Sequence, residues 1–235
     1  IVAALVGVEF RQWPLTRLQM MPDGCYARLF AQTTVSAERT QITRELMAAI
    51  GRHGYARVHC ADYFHELGLT GSGTRECETL VVDISDPTWQ PPDTKLQSEI
   101  RKAEREGVTI DTFNAAAHID AFMKLVSQTE ARHGRTPRYS RAFYVTLASL
   151  AETDNRITWN YVEQSGSPVV SHIYFVEGET ALNWQIYFDK EYSPLKANQY
   201  LMYTAAKSLA MMGVRYLNLG ASPPDAEGLR AYKEK

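Results

Sequence analysis

Apolar residues recur along this chain in two rhythms, a two-residue step that suits strands and a three-to-four-residue step that suits helices. The first 85 residues predict several strands and one helix. Residues 1–13 read as one or two short strands and residues 26–33 as another. Ile42, Leu46, Met47 and Ile50 then share one helical face, in a segment that opens near Ser36 and is stopped by Gly51 and Gly54. Residues 55–59 and 78–84 complete this part as strands, separated by a loop marked by Gly68, Gly71 and Gly73. The GLTGSG stretch of that loop is followed by neither Lys-Ser/Thr nor a helix start, so it reads as a plain loop rather than a phosphate cradle.

The Pro-rich connection DPTWQPPD, residues 86–93, predicts a boundary between a domain at 1–90 and another at 91–235. A highly charged helix follows over 95–106, with Leu96, Ile100 and Ala103 on its buried stripe, and a strand begins at Val108. Two more helices are expected over 118–132 and 140–151, joined by the basic loop RHGRTPR. Residues 157–162, 169–176 and 180–186 alternate between short turns and predict an antiparallel meander. Strict alternation places Ala181, Asn183 and Gln185 on one face of the last strand and puts Trp184 and Tyr187 on different faces. A long helix over 195–212, ended by Gly213, leads into a final strand at 214–219. The expected class is therefore α/β (α+β), a mixed, largely antiparallel sheet flanked by helices.

Composition narrows the classes. A chain of 235 residues holds one large domain or two modest ones, and 45% hydrophobic with 22% charged residues is ordinary for a globular protein. With 25 basic against 27 acidic residues there is no global field to gather a polyanion, although a local basic groove remains allowed. Cys25, Cys60 and Cys77 match neither a zinc cluster nor a disulfide framework, which favours buried free thiols in a reducing, cytoplasmic compartment. No run approaches the ~18 apolar residues of a membrane span. The opening IVAALVG is short and followed by Glu9 and Arg11, so it reads as an internal strand rather than a signal peptide. The chain begins without Met and stops at Lys235 inside a helical charged pattern, so both ends are expected to be cut short. No His/Asp/Glu/Cys set has ligand spacing, and no metal site is expected.

Several residues carry chemistry. Arg101 and Arg105 lie four apart on one helical face with Lys102 on its flank, suited to phosphates or carboxylates. Glu99, Glu104 and Glu106 make an ordinary solvated helix the alternative. Arg132, His133, Arg135 and Arg138 crowd one loop, either to hold an anion or as a solvated basic surface. His172 is suited to act as a base near neutrality or as a structural hydrogen-bonding residue, and no Ser or Cys is placed to complete a triad with it.

The run SEIRKAEREGV, then TEARHG, the meander, and the helix ending before YLNLGASPPDAEGLRAYKEK together resemble the peptidoglycan-bridge-forming (Fem-type) aminoacyltransferases. They are equally similar to the acetyltransferase-like proteins grouped with those enzymes in the GNAT superfamily. The resemblance implies tandem GNAT-like domains, the first degenerate and the second carrying the substrate groove. It implies transfer of an acyl or aminoacyl group from an activated carrier, acyl-CoA or aminoacyl-tRNA, to an amine on a small-molecule, cell-wall or lipid precursor, with no tightly bound cofactor. The family's IRKA-type motif is matched by Ile100, Arg101, Lys102 and Ala103, and its T..R.G pattern by Thr129, Arg132 and Gly134. Lys233 matches the FK-type end of the last motif, with Tyr232 in place of the customary Phe; in the bridge-forming enzymes this lysine lies near the transferring group. Lys233, Tyr187 and His172 are thus the catalytic candidates. Arg101, Lys102, Arg105, Arg132, Arg135, Asn183, Gln185 and Tyr192 are the candidates for substrate or carrier binding. The Q/R-x-x-G-x-G/A pyrophosphate loop of acetyl-CoA-binding members is missing, which leaves the donor open, and a noncatalytic scaffold keeping the fold is the alternative.

Overall fold

The computed structural model describes residues 3–63, 67, 73, 78–222 and 227–234. The chain folds as two compact units, residues 1–79 with 221–224 and residues 80–220 with 225–235.

In the first unit, β1 (Ala3–Ala4) pairs with β4 (Phe30–Ala31), while β2 (Val8–Gln12), β3 (Leu15–Met20) and β5 (Arg57–Cys60) form a three-stranded sheet. β2 and β3 are antiparallel; β3 and β5 are parallel, so the chain between them must cross over, and α1 (Ser36–Arg52) lies in that crossover. The stripe Ile42, Leu46, Met47 and Ile50 packs on a core that contains Met20, Ala27 and Leu29. The strand expected over 26–33 shrinks to two residues, because the Ala27 amide donates to Ala61 O at 2.7 Å instead of joining a ladder. Cys25 is buried and Cys60 half-buried, both as free thiols, and burial pushes them up to about 12 and about 11. Cys77 and the glycines Gly68 and Gly71 lie outside the described residues.

The second unit is built on a six-stranded sheet. Its strands are β6 (Glu78–Asp83), β7 (Asp111–Thr112), β8 (Ile157–Gln164), β9 (Ser167–Glu177), β10 (Thr180–Phe188) and β11 (Tyr216–Ser222), in the order β6-β11-β10-β9-β8-β7. β7 to β10 pair antiparallel, as the meander expects, and β10 with β11 is parallel. The helices are α2 (Thr94–Arg105), α3 (Ala115–Arg132), α4 (Arg141–Thr153), α5 (Ala197–Met211) and α6 (Glu227–Lys233). Asp93, Asn114 and Ser140 cap α2, α3 and α4 by accepting from the amides of Leu96, Ala117 and Phe143, so each helix starts where a side chain satisfies one of its unpaired donors. The long helix expected from Leu195 begins two residues later, as α5: a 3-10 helix, Lys190–Leu195, contains Pro194, and Lys196 turns left-handed at φ 58° just before it.

Each sheet face has its own cover. On one side α3 and α4 bring Phe122 and Tyr144 against Trp159 and Tyr187, an aromatic layer. On the other, Ala103 of α2 and Ala197 and Leu201 of α5 pack with Val162, Val169 and Val170, while Ala205 and Leu209 pack with Tyr174, Ala181 and Leu217. The expected fold class is borne out. Among the described residues no helix is long and apolar enough to cross a membrane.

Candidate functional site

The site grows from an irregularity in the sheet. β10 and β11 pair only from Thr180↔Tyr216 to Leu182↔Asn218, although both strands run on. Where that pairing stops, β10 carries a bulge: Asn183 faces Tyr174 of β9 while Gln185 faces its neighbour Ile173. Two residues opposed to one invert the alternation beyond that point. Partners in an antiparallel ladder project to the same face, so Asn183 joins Tyr174 and His172 on the α5 side. Gln185 goes with Ile173 to the α3–α4 side. This corrects the expectation that Asn183 and Gln185 share a face. Trp184 and Tyr187 likewise come to the same side: Trp184 lies 5.5 Å from Tyr139 and Tyr187 lies 5.5 Å from Phe122, centroid to centroid.

A buried polar chain lies on the α5 face. His172 is fully buried; its Nδ1 is 2.9 Å from the Tyr174 hydroxyl and its Nε2 is 2.8 Å from Asn198 Oδ1. Asn198 Nδ2 in turn donates to the Tyr232 hydroxyl at 2.7 Å. Burial pulls His172 down to about 4, against the hydrogen bond to Asn198, so the ring is neutral at pH 7. Burial pushes the Tyr174 phenol strongly up, and nearby Asn183 pulls it back only a little. The Asn183 amide nitrogen is buried and makes no full hydrogen bond among the described residues. His172 is therefore a poor match for a base working near neutrality, and its place in the chain is that of a bridge between strand and helices.

Lys233 approaches the parting of the strands from α6. Its Nζ donates to Gly220 O at 2.9 Å, and a Cβ added at Gly220 would lie 3.9 Å from Asn183 O. Gly220 holds this position with φ 73°, and its own amide is taken by Asn218 Oδ1 at 2.7 Å instead of by a neighbouring strand. Half-burial pulls the Lys233 ammonium down to about 8. Lys233, Asn183 and His172 thus gather on one side of the sheet, around β10, β11 and α6.

The remaining candidates lie elsewhere. Tyr187 is on the opposite face, its hydroxyl 2.7 Å from that of buried Tyr144, and burial pushes its phenol up to about 12. Arg132 donates to Phe188 O at 2.8 Å and stacks over the Phe188 ring, while Arg135 pairs at 2.8 Å with Glu130, which is buried. Arg132 thereby ties the end of α3 to β10, and Arg135 ties the basic loop back onto α3. Lys102 reaches across to Pro194 O at 2.9 Å, and Tyr192 packs with the apolar cluster around Val169 and Leu201. Arg101 and Arg105 are exposed on α2. Arg101 lines a depression of about 410 Å³ together with Gln90, Gln97 and Tyr203, which contains none of His172, Asn183 or Lys233. Sequence reasoning overlooked Asn198, Tyr174 and Gly220 as site residues. Asn198 left one trace: an amide beside the apolar stripe of Ala197 and Leu201.

Solved structures share this architecture. FemX is 11% identical with a TM-score of 0.65, over 98% of this chain and 79% of that one. A conserved protein of unknown function from Bacteroides thetaiotaomicron is 14% identical with a TM-score of 0.63, over 96% and 76%. The C-terminal domain of a putative lysylphosphatidylglycerol synthetase from Agrobacterium fabrum is 14% identical with a TM-score of 0.60, over 92% and 67%. At these identities the likeness is one of fold, and its span over nearly the whole chain is consistent with tandem GNAT-like halves. No curated protein matches the sequence. The family model described as the acetyltransferase (GNAT) domain matches residues 93–234, more than half of the chain and all of the site around Lys233. The chain belongs to the acetyltransferase (GNAT) domain family.

Proposed function

We propose that this chain is an acyltransferase that moves an acyl or aminoacyl group from an activated carrier to an amine, with residues 91–235 carrying the reaction and residues 1–90 a degenerate partner. The observation that supports it most is the Lys233 amine, half-buried at the parting of β10 and β11 beside Gly220 and Asn183. The acceptor amine attacks the carbonyl of the carrier-bound group directly, the C–S or C–O bond to the carrier breaks, and the proton shed by the amine ends on the departing thiol or hydroxyl. No covalent enzyme intermediate is required, because positioning and charge stabilisation suffice for such a displacement. Lys233, when protonated, places positive charge where a carboxylate, phosphate or developing oxyanion would sit. The Asn183 amide, buried without a full partner, is the second donor available there.

Acyl-CoA and aminoacyl-tRNA are the two donor classes. Likeness of fold to FemX and to a putative lysylphosphatidylglycerol synthetase favours the aminoacyl carrier and a cell-wall or lipid acceptor. The missing Q/R-x-x-G-x-G/A loop agrees with that preference. The test is to offer the purified protein a panel of acyl-CoAs and charged tRNAs and to follow transfer to an amine acceptor. Transfer should fall by an order of magnitude or more in Lys233→Met, since one charge-stabilising donor contributes about 3 kcal/mol. Absence of both transfer and carrier binding across the panel would support a scaffold that keeps the fold.

A further inference from the structure

We propose that Asn198 is a positioning residue: its side-chain amide fixes α6 through Tyr232, and so keeps the Lys233 amine at the parting of β10 and β11. The inference rests on the reading of Lys233 given above. It starts from the weakness of α6 itself. This helix has seven residues, too few to be stable alone, and none of them is buried. From Glu227 to Glu234 every residue is exposed except Tyr232 and Lys233. Both of those side chains hydrogen-bond inward, Tyr232 with Asn198 and Lys233 with Gly220 O. Arg230 and Glu234 pair with each other at 3.0 Å along the exposed surface.

The polarity of the chain explains why an amide stands at this position. Neutral His172 accepts from the Tyr174 hydroxyl at Nδ1 and donates from Nε2 to Asn198 Oδ1. The amide then turns an acceptor into a donor, offering Nδ2 to Tyr232. An apolar side chain would take away the partner of His172 Nε2 and the Asn198 bond of the Tyr232 hydroxyl together. The hold on α6 is thus referred back to β9, whose centre is rigidly paired on both sides. Charges that bear on this contact include Glu99 of α2, which raises the Tyr232 phenol, and Lys196, which pairs with Glu99 at 3.0 Å.

The experiment compares Tyr232→Phe, Asn198→Leu and Asn198→Asp with the wild type in two readings that need no substrate. One is hydrogen exchange of the α6 amides; the other is the pH midpoint for acetylation of Lys233 by acetic anhydride, followed by mass spectrometry. Tyr232→Phe and Asn198→Leu should raise α6 exchange by about tenfold. They should also move the Lys233 midpoint from near 8 toward the ordinary lysine value of about 10.4, because a released amine regains its water. Asn198→Asp should keep α6 exchange close to wild type, since its carboxylate accepts from His172 and from the Tyr232 hydroxyl; its added charge makes the Lys233 midpoint no test in this variant. A folded Tyr232→Phe protein with both readings unchanged overturns the proposal; if that variant does not fold, Asn198→Leu decides by the same readings. The outcomes separate this inference from the reading beneath it. Undiminished transfer by Lys233→Met would remove the role of Lys233 and leave the clamp standing, whereas an unperturbed α6 would remove the clamp alone.

Discussion

Acid should loosen the second unit through His172. The ring is fully buried and neutral, pulled down to about 4 by loss of water, whereas in the unfolded chain it titrates near 6.5. Between these values the unfolded chain binds more protons than the folded one, so stability rises with pH there and is lost as pH falls. Integrating the single-site linkage from neutrality gives a loss of about 2 kcal/mol by pH 5 and about 3 kcal/mol by pH 4. The perturbation that isolates this is His172→Gln. It lowers stability at pH 7, because Tyr174 and Asn198 lose a well-placed partner, at a cost of about 1–3 kcal/mol. It also removes the titration, so the two proteins should converge or cross as the solution is acidified. The assay is urea unfolding from pH 7 to pH 4, followed by tryptophan fluorescence, to which Trp159, buried on the opposite face of the same sheet, contributes. Carboxylates titrate alike in both proteins and cancel in the difference. Parallel curves, with a constant gap from pH 7 to pH 4, would refute the reasoning.

Two further outcomes follow from the geometry. The hydroxyls of Tyr144 and Tyr187 satisfy each other at 2.7 Å inside the aromatic layer, so either Tyr→Phe change alone should cost about 1–2 kcal/mol. The double variant should cost little more than one single change, and thermal denaturation showing additive losses would count against the pair. Gly220→Ala should cost about 1–2 kcal/mol, because φ 73° is unfavourable for a side chain although the new methyl would meet only Asn183 O at 3.9 Å. Gly220→Asn should lose less, since asparagine tolerates that conformation, and equal losses in a chemical-denaturation comparison would point to steric crowding instead.

Local physics made much of the fold legible. The helical stripe of Ile42, Leu46, Met47 and Ile50 and the alternation through residues 157–186 each record burial on one face, and burial is written into the order of side chains. Lys233 was legible through a motif, the FK-type end, and the family match covers it. The alternation failed at one place with large consequences. A single extra residue at Trp184 sends Gln185 away from Asn183 and brings Trp184 and Tyr187 together, and no local preference in that strand marks the bulge. Nor does the order of residues show that His172, Asn198 and Tyr232, separated by 26 and then 34 positions, form one hydrogen-bonded chain. That chain exists because β9, α5 and α6 converge. Sequence determined most of the strands and helices and, short of the bulge in β10, which face each would bury, since those follow from short-range periodicity. Only the tertiary structure decided where the strands part, which polar groups meet there and how the charge of Lys233 is held, because those depend on distances between segments far apart in the chain.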